Sequence, residues 1–182
     1  MRIIAGTAKG VRLAPVPAGT RPLSDRAREG LFSSLGEGVR GARVLDLYAG
    51  TGAIGIEALS RGAAHATFVE REHAAVKVIR ENIERAHLAA GARVMRRSAR
   101  PYLEGLLEPA EVVFLDPPYA TPEAELSLVL GLLASGGGLA SGGWTVALTR
   151  AKKTYTPVIP VDWCLAKRLE YGDTLITLFR EV

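Results

Sequence analysis

The chain has 182 residues, 48% of them hydrophobic and 23% charged, with a formal net charge of +4 and a pI near 9.5. That length suits one domain with a small appendage, and the balance is that of a folded chain rather than a disordered one. No apolar run approaches the roughly 18–20 residues of a membrane span. The start, MRIIAGTAKG, lacks an apolar signal core. The lone cysteine, Cys164, excludes an internal disulfide framework, and no Cys/His cluster suggests zinc. These features predict a cytoplasmic monomer with no membrane association and no metal. The mild basicity permits nucleic acid as a partner without requiring it.

Basic residues crowd the front of the chain, where Arg2, Lys9, Arg12, Arg21, Arg26 and Arg28 face a single acid, Asp25. Arg2 to Ala5 and Val11 to Leu13 read as short strands of a hairpin turning through Gly6 to Gly10. Pro15, Pro17, Gly19 and Pro22 form an irregular connector. Ser24 or Asp25 can cap a helix running to about Leu35, with Ala27, Leu31 and Leu35 on one face. Cations at a helix start gain nothing from its dipole, and an incoming phosphate would relieve their repulsion.

From residue 42 the rhythm is strand, loop, helix. Strands are predicted over Arg43–Tyr48, His65–Glu70, Ala92–Arg97, Glu111–Asp116 and Trp144–Thr149. Helices are predicted over Ala53–Arg61, Glu72–Leu88, a short stretch near Pro101 and residues 122–134. The nearly all-apolar EVVFLD run suits a central strand buried on both faces. Segments Val161–Leu169 and Asp173–Arg180, hinged at Gly172, read as a terminal antiparallel hairpin. The pattern predicts an α/β, Rossmann-like, mostly parallel doubly wound sheet with an antiparallel C-terminal strand. A small extension, residues 1–22, precedes the main domain, 23–182.

The segment DLYAGTGAIG follows the first strand of this pattern and opens a helix. Gly50, Gly52 and Gly55 match the G-x-G-x-x-G fingerprint, and Glu70 ends the next strand where an acid holds ribose hydroxyls. Asp46 refines the ligand. A carboxylate there repels phosphates at Coulombic cost but suits a cation. S-adenosyl-L-methionine carries a sulfonium and an ammonium and no phosphate. Ser98 and Ala99 end the third strand, where a side chain and an amide can meet adenine. The candidate cofactor set is therefore Asp46, Gly50, Thr51, Gly52, Glu70, Arg71, Ser98 and Ala99.

Asp116, Pro117, Pro118 and Tyr119 follow the EVVFLD strand directly. Two prolines fix the backbone and remove two N–H donors, which sets the direction of the Pro117 carbonyl. Asp116 and that carbonyl form a pair of acceptors suited to a planar NH2 group, and Tyr119 offers a ring for stacking on a base. An aromatic amine is a poor nucleophile because its lone pair is delocalised. Acceptors gripping its hydrogens favour a pyramidal nitrogen and turn the lone pair toward the methyl group, so positioning and charge placement supply the rate.

The tetrad with the DLYAGTG loop resembles amino-methyltransferases of the class I fold. The blocks RIIAGTAKGVRL, RPLSDRAREGLFSSL, LDLYAGTGAIGIEALSRGA, FVE, VVFLDPPY and KRLEYGDTLITLF resemble the RsmD family over nearly the whole chain. Members act on a guanine N2 amine of 16S ribosomal RNA. The resemblance implies Asp46, Gly50, Gly52 and Glu70 for the cofactor and Asp116 through Tyr119 for the target guanine. It also implies an RNA-facing front end at Arg21 and Pro22 with Asp25, Arg26, Arg28 and Glu29; with the basic residues Arg2, Lys9 and Arg12 of the hairpin, the candidate RNA-binding set is Arg2, Lys9, Arg12, Arg21, Arg26 and Arg28. Tyr48 stands where Phe is usual, Leu23-Ser24 replaces two threonines, Ser98 replaces Asp or Asn, and Thr149-Arg150 stands where an acid often ends the strand.

The tetrad alone also fits an adenine-N6 methyltransferase of DNA or RNA, or a protein glutamine methyltransferase. A non-catalytic RNA-binding assembly factor could keep the same fold. Cys164 is expected to be buried and inert, Trp144 and Trp163 to be core, and His65, His73 and His87 to lie at the surface.

Overall fold

The computed structural model describes residues 1–15, 22–105 and 108–181. Helix α1 (Asp25–Leu35) begins where the Ser24 hydroxyl accepts the Ala27 amide at 3.2 Å. The alternating units follow as β1 (Arg43–Leu47), α2 (Ala53–Ser60), β2 (His65–Glu70), α3 (His73–Arg85), β3 (Ala92–Arg96), α4 (Ala99–Leu103), β4 (Val112–Leu115), α5 (Glu123–Ser135) and β5 (Thr145–Ala151). A terminal hairpin, β6 (Trp163–Tyr171) and β7 (Thr174–Glu181), completes the chain. Helix α3 stops three residues short of the expected Leu88, and His87 just beyond it takes a left-handed φ of 56°.

The strands form one sheet of seven in the order β3-β2-β1-β4-β5-β7-β6. The first five are parallel, and β7 runs antiparallel to both β5 and β6. Strand order reverses between β1 and β4, so the crevice of an open α/β sheet falls beyond the ends of these two strands. Their register pairs Leu47 with Leu115, which places Tyr48 and Asp116 side by side as the chain leaves the sheet.

Strand alternation divides the core between the two faces. Val44, Phe68 and Phe114 pack with α1, α2 and α3 through Leu31, Phe32, Ile56 and Ile79. Leu45, Val113 and Leu115 pack with α4 and α5 through Leu103, Leu126 and Leu130, and Trp144 and Trp163 join this second cluster. The histidines are exposed. Cys164 departs from expectation: it is exposed on edge strand β6, where outward residues of a twisted hairpin have no layer above them.

The front hairpin is reduced to a single bridge, Arg2 to Arg12, with the Ile3 amide on the Val11 carbonyl at 3.0 Å. Several of its amides turn instead to α2 and α3. Glu57 accepts the Ile4 and Ala5 amides at 2.8 and 3.0 Å, Ser60 Oγ accepts the Ala8 amide at 3.0 Å, and Asn82 Oδ1 accepts the Ala14 amide at 2.7 Å. Gly6 is required by this docking, since a Cβ there would lie 1.8 Å from the Ser60 carbonyl oxygen. Ile3, Ala8 and Leu13 are thereby part of the main core.

Candidate active site

The glycine loop sits over β1 and α2 and is wired to two carboxylates. Asp46 is buried; Oδ2 accepts the Gly55 amide at 3.0 Å and Oδ1 has no partner. Burial, with the Asp116 and Glu70 carboxylates nearby, pushes its pKa up to about 8 despite that hydrogen bond. Glu70 accepts the Gly50 amide through Oε2 and the Glu72 amide through Oε1, both at 2.9 Å. Gly50 and Gly52 take φ of 56° and 75°, and a Cβ on Gly55 would meet the Phe68 ring at 2.4 Å. Above Gly50 the space is open, since a Cβ there would meet nothing within 4 Å.

The residues present fit a cationic nucleoside. Asp46, Glu70 and Asp116 make no ion pair with any Lys, Arg or His among the described residues, and one buried carboxylate oxygen is unsatisfied. A ligand bearing positive charge would favour the ionised form of these carboxylates and give the unsatisfied oxygen a partner, whereas a polyphosphate would do neither. Thr51 is buried in the loop, and its carbonyl accepts Asn82 Nδ2 at 3.0 Å. Arg71 is exposed and pairs with Glu72 at 3.1 Å. Ser98 is exposed at the start of α4, where its side chain makes no capping bond, and Ala99 is buried.

Asp116 leaves β4 into a cleft of about 330 Å³. It is lined by residues from three parts of the chain: Pro22, Leu23, Ser24 and Arg26 at the start of α1, Asp116, Tyr119 and Thr149 at the strand ends, and the β6–β7 turn from Glu170 to Thr174. Burial pushes the Asp116 carboxyl up to about 7. Pro117 is buried, while Pro118 and Tyr119 face outward, with Tyr119 43% exposed. Gly50 and Glu70 lie outside this cleft. Asp116 joins the two regions: it lines the cleft, and its amide lies 3.5 Å from the carbonyl of Leu47, the residue after Asp46 on β1.

The front cations divide. Arg2, Lys9 and Arg12 are exposed, and Arg26 stands on the cleft wall. Arg21 lies outside the described residues. Arg28 requires a correction, because it is fully buried and cannot reach RNA. Its Nη2 donates to the Arg2 carbonyl and to Asp25 Oδ1, the latter at 3.0 Å, and its Nε lies 3.7 Å from buried Glu57 Oε2. It ties α1 to α2 and to the front segment.

Several residues escape a motif search. Asn82 fastens the glycine loop and the front segment at once, and its only sequence signal is a polar residue beside Ile79 and Ile83 on an apolar helix face. Glu57, a lone acid in AIGIEALS, calls for a buried partner in the same way. Glu170 and Asp173 reach the cleft through the terminal hairpin, a placement that carries no local signal.

Comparison with known proteins agrees with this architecture. A family model described as Conserved hypothetical protein 95 matches residues 1–180. Ribosomal RNA small subunit methyltransferase D of Escherichia coli K12 is 36% identical over 183 residues, covering 99% of this chain and 89% of that protein. The protein of the same name from Haemophilus influenzae is 30% identical over 188 residues, covering 99% and 93%. The solved structure of yhhF from Escherichia coli superposes with a TM-score of 0.88 at 35% identity, covering 100% of this chain and 97% of that one. Matched end to end in sequence and fold, the chain belongs to this family, the RsmD family whose blocks its sequence carries.

Proposed function

We propose that this chain transfers a methyl group from S-adenosyl-L-methionine to the exocyclic N2 amine of a guanine in 16S rRNA. The substrate is the 30S subunit or an assembly intermediate, and the enzyme works as a cytoplasmic monomer. The observation that carries the reading is the position of Asp116, which lines the cleft and leaves the sheet beside Leu47, next to the buried Asp46 carboxylate under the glycine loop. The relatives named for small-subunit rRNA methylation support the substrate class.

The cofactor supplies an electrophilic methyl group carried on a sulfonium. Asp46 would hold its ammonium, satisfying Oδ1, while Glu70 would take ribose hydroxyls with the lone pairs its two amide bonds leave over. Ser98 and Ala99 would bound the adenine. On the target side, Asp116 and the Pro117 carbonyl accept from the amine, and Tyr119 stacks on the base after it leaves its helix. The half-buried Asp116 carboxylate, when ionised, places negative charge where the amine nitrogen becomes positive, and it can take up the proton the nitrogen loses. Arg2, Lys9, Arg12 and Arg26 would meet phosphates around the cleft.

Tritium transfer to 30S particles, naked 16S RNA and duplex DNA, followed by nucleoside analysis, tests the assignment. N2-methylguanosine in the ribosomal substrates is the expected product. Preference for DNA, or an N6-methyladenine product, would replace this reading with the adenine one.

A further inference from the structure

The loop from Asp116 to Thr121 has few means of holding itself. Pro117 and Pro118 have no N–H to donate. Among the described residues, its remaining backbone anchors are the Asp116 amide on the Leu47 carbonyl at a long 3.5 Å and the Thr121 amide on the Pro118 carbonyl at 2.9 Å. The third anchor comes from outside. Tyr155 Oη donates to the Thr121 carbonyl at 2.7 Å. Arg150 Nη1 in turn donates to Tyr155 Oη at 2.7 Å, and its guanidinium lies 4.1 Å from the centre of the Tyr155 ring.

Arg150 is an expensive residue to place here. It is 4% exposed, and its Nε and Nη2 are buried without partners. It forms no ion pair with a carboxylate among the described residues, so the Tyr155 ring and hydroxyl are its compensation. Packing alone would be served by a methionine or leucine at this position. What a cation adds is polarisation: an N–H donated to a phenol oxygen strengthens that phenol as a donor to the next acceptor. The next acceptor is the Thr121 carbonyl, which closes the turn carrying Pro118 and Tyr119.

We infer that Arg150 and Tyr155 are positioning residues that hold the Asp116–Thr121 loop in the conformation needed for methyl transfer. The inference rests on the reading of that loop as the site that grips the target amine. The chain of contacts runs from strand β5, through the following loop, to the carbonyl two residues past Tyr119. A small shift of the turn would move Tyr119 and the Pro117 carbonyl without touching the cofactor residues.

Tyr155→Phe keeps the ring and removes the donor, and is the primary test. It should lower kcat by about 10- to 100-fold, the cost of a roughly ångström misplacement, while leaving KM for the cofactor near that of the wild type. Arg150→Met should lower kcat by a similar factor, and Arg150→Lys should not restore it, because an ammonium cannot both stack and donate in this geometry. The double variant should lose little more than Tyr155→Phe alone. A merely structural role would lower the melting temperature and leave kcat per folded molecule unchanged. Wild-type kcat in folded Tyr155→Phe overturns the inference. Asp116→Ala runs in the same assay: if it still transfers methyl groups, the underlying reading of the loop has failed rather than the brace.

Discussion

Asp46 accepts the Gly55 amide through one carboxylate oxygen at 3.0 Å and keeps the other buried with no partner. One oxygen thus fixes the start of α2, and the second waits for a donor. A loop built only to turn the chain would not leave a carboxylate oxygen in this state.

The same relationship makes stability depend on pH. Burial raises Asp46 to about 8 and Asp116 to about 7, against an unfolded value near ~4. Between those limits the folded protein binds more protons than the unfolded chain, so the contribution of both groups to stability falls as pH rises. Asp46→Asn should flatten this decline and melt higher than the wild type at pH 8 in calorimetry without cofactor. A wild-type melting temperature independent of pH between 5 and 8 would contradict the burial argument.

Catalysis should show the opposite trend. Asp116 must be ionised to accept from the amine, so kcat should rise with pH and level off above an apparent pKa near 7. The pH profile of single-turnover transfer checks this. A rate flat from pH 5.5 to 8 would mean that Asp116 does not act as an ionised acceptor.

Arg26 and Arg28 sit two positions apart and should behave differently. Arg26 is exposed on the cleft wall, so Arg26→Ala should weaken RNA binding and reduce the slope of log K against log salt by about 1. Arg28→Met removes a buried partner of Glu57 and should cost roughly 3 kcal/mol of stability with no change in salt slope. Salt titrations and thermal melts of both variants separate the roles. Point substitutions are preferable to deleting residues 1–20, which would strip Ile3 and Leu13 from the core.

Asn82 links two segments that the sequence leaves far apart, Ala14 and Thr51. Asn82→Ala would leave a buried amide and a buried carbonyl unpaired, at about 1–3 kcal/mol each. The melting temperature should fall by roughly 10 °C. Asp at this position could accept from Ala14 but could not donate to Thr51 in its ionised form, so it should recover only part of the loss.

The strand and helix rhythm, the glycine loop and the tetrad are legible because each depends on local chemistry: apolar alternation, positive φ, and prolines after a buried strand. The Glu170–Thr174 side of the cleft is not, since that turn reaches the site through long-range contacts: the pairing of β7 with β5, and Lys152 bonded to Glu170 and to the Asp173 carbonyl. Charge alone misplaced Arg28, because its burial is set by Glu57, distant in sequence and itself buried. The role of Tyr155, and of Arg150 through it, is not local either: the carbonyl that Tyr155 binds lies 34 residues earlier.

Asp116→Ala gives the most direct test, with methyl transfer to 16S RNA and cofactor affinity measured on the same preparation. Transfer should fall by at least about 100-fold while the cofactor Kd stays within about threefold of the wild type. Near-normal transfer by the folded variant would contradict the claim that this carboxylate joins the cofactor region to the target cleft.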